Sequence, residues 1–187
     1  MKEGFYKLGA ETSSLYIYTY KSGSLSLLSH DLLIKVNEFC LDFDLKSRNA
    51  GESKMYLTVE TNSLEVICVV IGEKRYEKLL TEKDKREIEK NIKSDQILAV
   101  RKYPTIKFVS NHIKEEENCF LVSGELTIKK LTKGLNLTLM KDIEKPYNKL
   151  TGRCTILQSD FGLVPYSTLF GVLGVRDRLD ISWEINL

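Results

Sequence analysis

Residues 179–187 read Leu179-Asp180-Ile181-Ser182-Trp183-Glu184-Ile185-Asn186-Leu187, apolar side chains alternating strictly with polar ones. Successive side chains of a β-strand point to opposite faces, so this pattern predicts a strand with one buried and one wet face. The same period recurs upstream: in Leu15 to Tyr20, in Met55, Leu57 and Val59, in Ile106 and Phe108, in Phe120 and Val122, in Leu126 and Ile128, and in Leu135, Leu137 and Leu139. Its recurrence implies one sheet with two unlike faces. Turn formers separate the runs at Lys21-Ser22-Gly23-Ser24, Asn49-Ala50-Gly51, Lys114 to Asn118, Thr132-Lys133-Gly134 and Lys145-Pro146-Tyr147-Asn148, which read as hairpin loops.

One segment departs from this period. Thr81-Glu82-Lys83-Asp84 resembles an N-cap followed three residues later by a carboxylate, and Ile88 and Ile92 then fall one helical turn apart, which predicts a helix at about residues 81–94. Its charged side, with Glu82 and Arg86 in the favourable i,i+4 order worth ~0.3 kcal/mol, reads as a solvated face. Tyr103-Pro104 then opens the strand Thr105 to Ser110, where proline costs no ladder donor. A sheet with this many strands and so little helix must bury its apolar face in a sandwich or by closing on itself, and closure also removes the edges. The interior of an eight-stranded barrel is just wide enough for its own side chains or for one ligand.

A chain of 187 residues is read as one domain, 1–187. Its 28 basic and 26 acidic side chains are interspersed rather than gathered into a stripe, which argues against a nucleic-acid partner. The longest apolar run, Val66 to Ile71, is far short of the ~18 residues of a membrane helix, so no transmembrane segment is expected. Residues 1–20 contain Lys2 and Lys7 but no apolar core or small-residue cleavage site, and the expected location is the cytoplasm. Cys40, Cys68, Cys119 and Cys154 lie far apart in strand-like settings with no C-x-x-C pair, so they are expected to be buried, reduced and metal-free.

His30 and Asp31 are adjacent, and in a strand they would face opposite sides, which works against a shared catalytic or metal role. With His112 as the only other histidine, a multi-histidine metal site cannot be assembled. No serine occupies a Gly-x-Ser-x-Gly elbow, and Gly171-Val172-Leu173-Gly174 lacks the third glycine and helix of a phosphate loop, so it reads as a bend. No catalytic constellation can be named, and neither an enzyme nor a cofactor is expected. What remains is the inward row. Leu57, Val59, Phe108, Val122, Leu137, Leu139 and Trp183 are the candidate apolar wall of an interior site, and His30, Phe161, Tyr166 and Phe170 are candidates for its rim.

Ile97-Leu98-Ala99-Val100-Arg101-Lys102-Tyr103-Pro104-Thr105-Ile106-Lys107-Phe108-Val109-Ser110 resembles the signature of the YceI-like family, in which a helix runs through a Lys-Tyr-Pro turn into a strand. Val122-Ser123-Gly124-Glu125-Leu126-Thr127-Ile128 looks like that family's glycine-leucine-threonine strand, and Gln158-Ser159-Asp160-Phe161-Gly162-Leu163 like its aspartate-phenylalanine-glycine strand. Ser29-His30-Asp31-Leu32 and Pro165-Tyr166-Ser167 are similar to segments of a cytoplasmic-looking bacterial branch. The resemblance, over roughly residues 13–187, implies an antiparallel, lipocalin-like eight-stranded β-barrel that binds polyisoprenoids, quinone tails or fatty-acid-like lipids without chemistry on them. Where many members carry Arg-Asp-x-His-Leu in the helix, this chain carries Ile88-Glu89-Lys90-Asn91-Ile92, so no headgroup contact is carried over. The expected partner is therefore an apolar long-chain small molecule, with a homodimer left open. The alternative is an interaction or assembly module whose core is filled.

Overall fold

The computed structural model describes residues 3–23, 30–46, 50–142, 149–168 and 173–187. It contains β1 (Gly4–Gly9), β2 (Ser14–Ser22), β3 (Asp31–Val36), β4 (Phe39–Leu45), β5 (Lys54–Glu60), β6 (Leu64–Ile71) and β7 (Lys74–Tyr76). Helix α1 (Glu82–Lys93) follows, then β8 (Thr105–Glu115), β9 (Cys119–Ile128), β10 (Leu131–Asp142), β11 (Lys149–Leu157), β12 (Ser167–Thr168) and β13 (Leu173–Asn186). All strands join one antiparallel sheet with the hydrogen-bonded order β1-β4-β5-β8-β9-β10-β11-β13-β2-β3-β6-β7, and β12 pairs with β13. Among the described residues no helix is long and apolar enough to cross a membrane.

The sheet curls because two of its strands bend. Only Asn37 and Glu38 separate β3 from β4, and only the 3-10 turn Thr61–Ser63 separates β5 from β6. Antiparallel pairing resumes beyond both breaks, from Val36↔Leu64 to Phe39↔Val59 with a two-residue shift in register, so the four segments form one long bent hairpin. Its β3 arm pairs with β2 and its β5 arm with β8, which brings the sheet round on itself. The corner is tied from outside: buried Thr61 donates its N–H to Pro104 O (2.8 Å) and shares its hydroxyl proton between Tyr103 O (3.0 Å) and Pro104 O (2.8 Å). The expected count of eight strands is thereby corrected to thirteen among the described residues. The excess comes from the two breaks and from the short flanking strands β1, β7 and β12, whose ladders period-2 counting does not resolve.

Local signals explain several boundaries. Thr81 and Asp84 form a reciprocal capping box, Asp84 N–H to Thr81 Oγ1 at 3.2 Å and Thr81 N–H to Asp84 Oδ2 at 3.0 Å, which starts α1 as its sequence requires. The hydrogen bonds from Thr81 hold the Asp84 carboxyl below its usual pKa. On the exposed face, Glu82 pairs with Lys85 one turn on (3.0 Å) rather than in the expected pairing with Arg86. The expected loop at Thr132-Lys133-Gly134 is instead part of β10, and the hairpin turns at Lys129-Lys130. Lys129 takes a left-handed conformation there (φ 56°), held by its ammonium donating to Ile97 O at 2.8 Å, a tertiary contact that composition does not announce. Gln158–Phe161, expected as a strand, is a 3-10 turn closed by Gly162 at φ 64°. The Lys145–Asn148 turn, Asn49 and Gly171-Val172 lie outside the described residues.

Candidate functional site

Each long strand contributes one inward row, and the rows enclose an apolar cavity of about 470 Å³. The cavity is lined along the whole of β13, from Val175 to Ile185, but along only part of β8 and β9. In β8 the residues near its start, Ile106 and Phe108, line it, whereas Ile113 further along does not; in β9 the late residues Leu126 and Ile128 line it, whereas Phe120 and Val122 do not. β8 and β9 run antiparallel, so these are the same end of the two strands, and Leu32 and Ile34 of β3, Leu57 and Val59 of β5, and Ile156 of β11 also line the cavity. At the other end Phe43, Ile113, Phe120, Val122 and Leu150 are each no more than 1% exposed, with Phe43 and Phe120 in edge-to-face contact (centroids 5.9 Å apart). That end is a packed floor.

Two glycines shape the wall. A Cβ at Gly152 of β11 would lie 2.4 Å from the Trp183 ring, and one at Gly124 of β9 would lie 2.5 Å from the Phe108 ring. Each aromatic side chain therefore lies flat across a neighbouring strand where no other residue would leave room. Helix α1 supplies Ile88 and Ile92 to the cavity, helped by Leu80, Ile97 and Leu98, so the one-turn spacing seen in sequence marks a cavity-facing stripe. Glu89 anchors the helix by accepting the Val66 N–H (2.9 Å).

Of the expected wall, Leu57, Val59, Phe108, Leu137, Leu139 and Trp183 all line the cavity. Val122 does not: its side chain points inward as expected but lies in the floor, because alternation reports the face of a residue and not its height along the axis. At the rim, His30 is exposed and Tyr166 is 40% exposed, and both border the cavity. Phe161 is 4% exposed and packs in the core rather than at the rim, since the 3-10 turn directs it inward. Phe170 lies outside the described residues. Sequence reasoning missed Leu15 and Ile17 of β2, Leu41 of β4 and Leu179 and Ile181 of β13 as wall residues, although their alternation was visible.

Polar chemistry in the cavity is sparse. Thr19 Oγ1 and Trp183 Nε1 are buried with no hydrogen-bond partner among the described residues. Cys154 reaches the wall, and burial, with a smaller contribution from the Asp180 charge, pushes its thiol up to about 11, so it stays protonated and unreactive at neutral pH. All four cysteines are free thiols, but only Cys68 is fully buried; Cys40, Cys119 and Cys154 are half-buried, which corrects the expectation for those three. No cluster of three or more His, Cys, Asp or Glu stands ready to hold a metal among the described residues. Asp180 faces the opposite, outer side of β13, where it accepts from Arg178 Nε and Nη2 (both 2.9 Å), Thr155 Oγ1 (2.6 Å) and Tyr20 Oη (2.6 Å). Burial alone would raise its carboxyl, but those hydrogen bonds outweigh it and hold the pKa at about 2.

The fold has solved counterparts. BcnA of Burkholderia cenocepacia superposes with a TM-score of 0.69 at 15% identity, covering 94% of this chain and 96% of that one. A YCEI protein of Campylobacter jejuni superposes with a TM-score of 0.58 at 15% identity, covering 82% of each chain. At such identities the likeness concerns the fold alone. In sequence, a UPF0312 protein of Photorhabdus laumondii is 27% identical over 112 residues, which are 59% of this chain and half the length of that relative. The model of the YceI-like domain matches residues 6–187, nearly the whole chain, and so the chain belongs to the YceI-like family.

Proposed function

We propose that this protein binds and carries a long-chain apolar small molecule, such as an isoprenoid, a quinone tail or a fatty-acid-like lipid, in the interior of its barrel, without chemistry on it. The observation that carries this reading is the preformed cavity of about 470 Å³, walled almost entirely by aliphatic and aromatic side chains. Such a space falls in the size range of small-molecule sites, and an apolar tail gains ~0.8 kcal/mol for each methylene it buries. A dozen such groups offset the freedom lost on binding. The family's implied ligands are of the same kind. Half-buried leucines such as Leu57, Leu135 and Leu137 remain partly accessible while bordering the cavity, which fits walls that stop short of meeting. The free thiols suit a reducing compartment, and the cytoplasm is part of the proposal.

Native mass spectrometry of freshly purified protein, with organic extraction of what is released, tests the reading. A bound long-chain molecule is the expected result. A folded protein that releases no lipid and takes up no fluorescent fatty acid would favour an interaction module instead.

A further inference from the structure

The geometry points to a chain-length ruler: the packed floor built on β4, β8 and β9 closes the ligand channel and sets the longest tail that gains affinity by burial. This rests on the carrier reading above. The wall rows of β4, β8 and β9 each run on past the cavity, into Phe43, Ile113, and Phe120 with Val122, respectively, and these side chains meet one another instead of facing open space. Two large, fully buried rings in edge-to-face contact fill that end, so a tail cannot thread between them without breaking native packing. Met55, Leu139 and Ile185 form the last layer that still touches the cavity.

Size converts this stop into a length. One water-sized group occupies roughly 30 Å³, and a methylene is of similar bulk, so 470 Å³ holds of the order of fifteen to twenty chain atoms. A carboxylate or hydroxyl at the head would remain at the exposed His30 and Tyr166 end. A polyprenyl tail of several tens of carbons would leave much of its length outside.

The test is displacement of a fluorescent fatty acid from the full chain by saturated fatty acids of about ten to twenty-four carbons. Affinity should rise about fourfold per added carbon while the tail is being buried, then stop rising near fifteen to twenty. Floor variants move the break: Phe120→Leu and Val122→Ala should shift it upward by about two carbons, since space opened in an apolar floor stays dry and available to ligand, and Leu139→Phe should shift it downward. Thermal melting identifies variants that remain folded, and if none does, the wild-type series decides alone. Affinity that climbs through the longest acid, or a break unmoved by folded floor variants, would overturn the ruler while leaving the carrier reading intact. Failure of every acid to bind would remove the carrier reading, and the ruler with it.

Discussion

At the scale of single residues, the polar groups of β2 and β13 act in opposite directions. Thr19 presents an inward hydroxyl with no partner among the described residues, a group that costs about 1 kcal/mol or more when buried unpaired. Thr19→Val keeps the shape and removes that group, and it should raise stability by about 1 kcal/mol in a denaturant titration. Asp180, on the outer face, has three side-chain partners and a carboxyl held at about 2, well below the value of an unfolded aspartate. Its folded pKa is lowered, so its contribution is fully present above about pH 4 and disappears as pH falls toward 2. Asp180→Asn should cost about 2 kcal/mol at neutral pH, the range for hydrogen bonds to a charged group, and should flatten the acid limb of the stability profile. Neither role can be read from the alternation. It places Thr19 inside and Asp180 outside, but partners arrive from Tyr20 and Thr155, 160 and 25 residues away.

At the scale of elements, β13 and the bent hairpin are the two pieces that complete the curl. Strand β13 pairs with β11 along Lys149↔Asn186 to Leu157↔Arg178 and with β2 along Ser14↔Glu184 to Ser22↔Gly174. Deleting residues 179–187 leaves both neighbours with unpaired edges and removes Trp183 and Ile185 from the core, so cooperative thermal unfolding should be lost. A truncated protein melting like the full chain would show that the strand is dispensable. The hairpin corner depends on a side-chain hydroxyl: Thr61→Val leaves the carbonyls of Tyr103 and Pro104 without that donor and should cost about 1 to 2 kcal/mol. Strand existence was legible because each inward row is apolar. The breaks at residues 37–38 and 61–63 were not, because a strand that bends keeps its alternation and only its direction changes.

At the scale of the whole molecule, cavity and floor separate substitutions that sequence treats alike. Leu137 and Val122 are cross-strand partners on the same inward face, yet Leu137 borders the cavity and Val122 is packed at 1% exposure. Leu137→Trp should therefore evict a bound tail at small cost in stability, whereas Val122→Trp should overpack the floor and cost about 1 to 3 kcal/mol or more. Paired melting curves and ligand-uptake measurements check both. Local chemistry already determined the class of the fold: strict period-2 runs can bury their apolar side only in a sheet that packs or closes, and the capping box at Thr81 can start only a helix. The YceI-like motifs narrowed this further. Only the tertiary structure decided where the interior is open and where it is filled, because that depends on which side chains meet across the barrel at each level of its axis. A sequence period carries the face of a residue, but the height at which Phe43 meets Phe120 is set by strand register, two bends and the shear of the whole sheet.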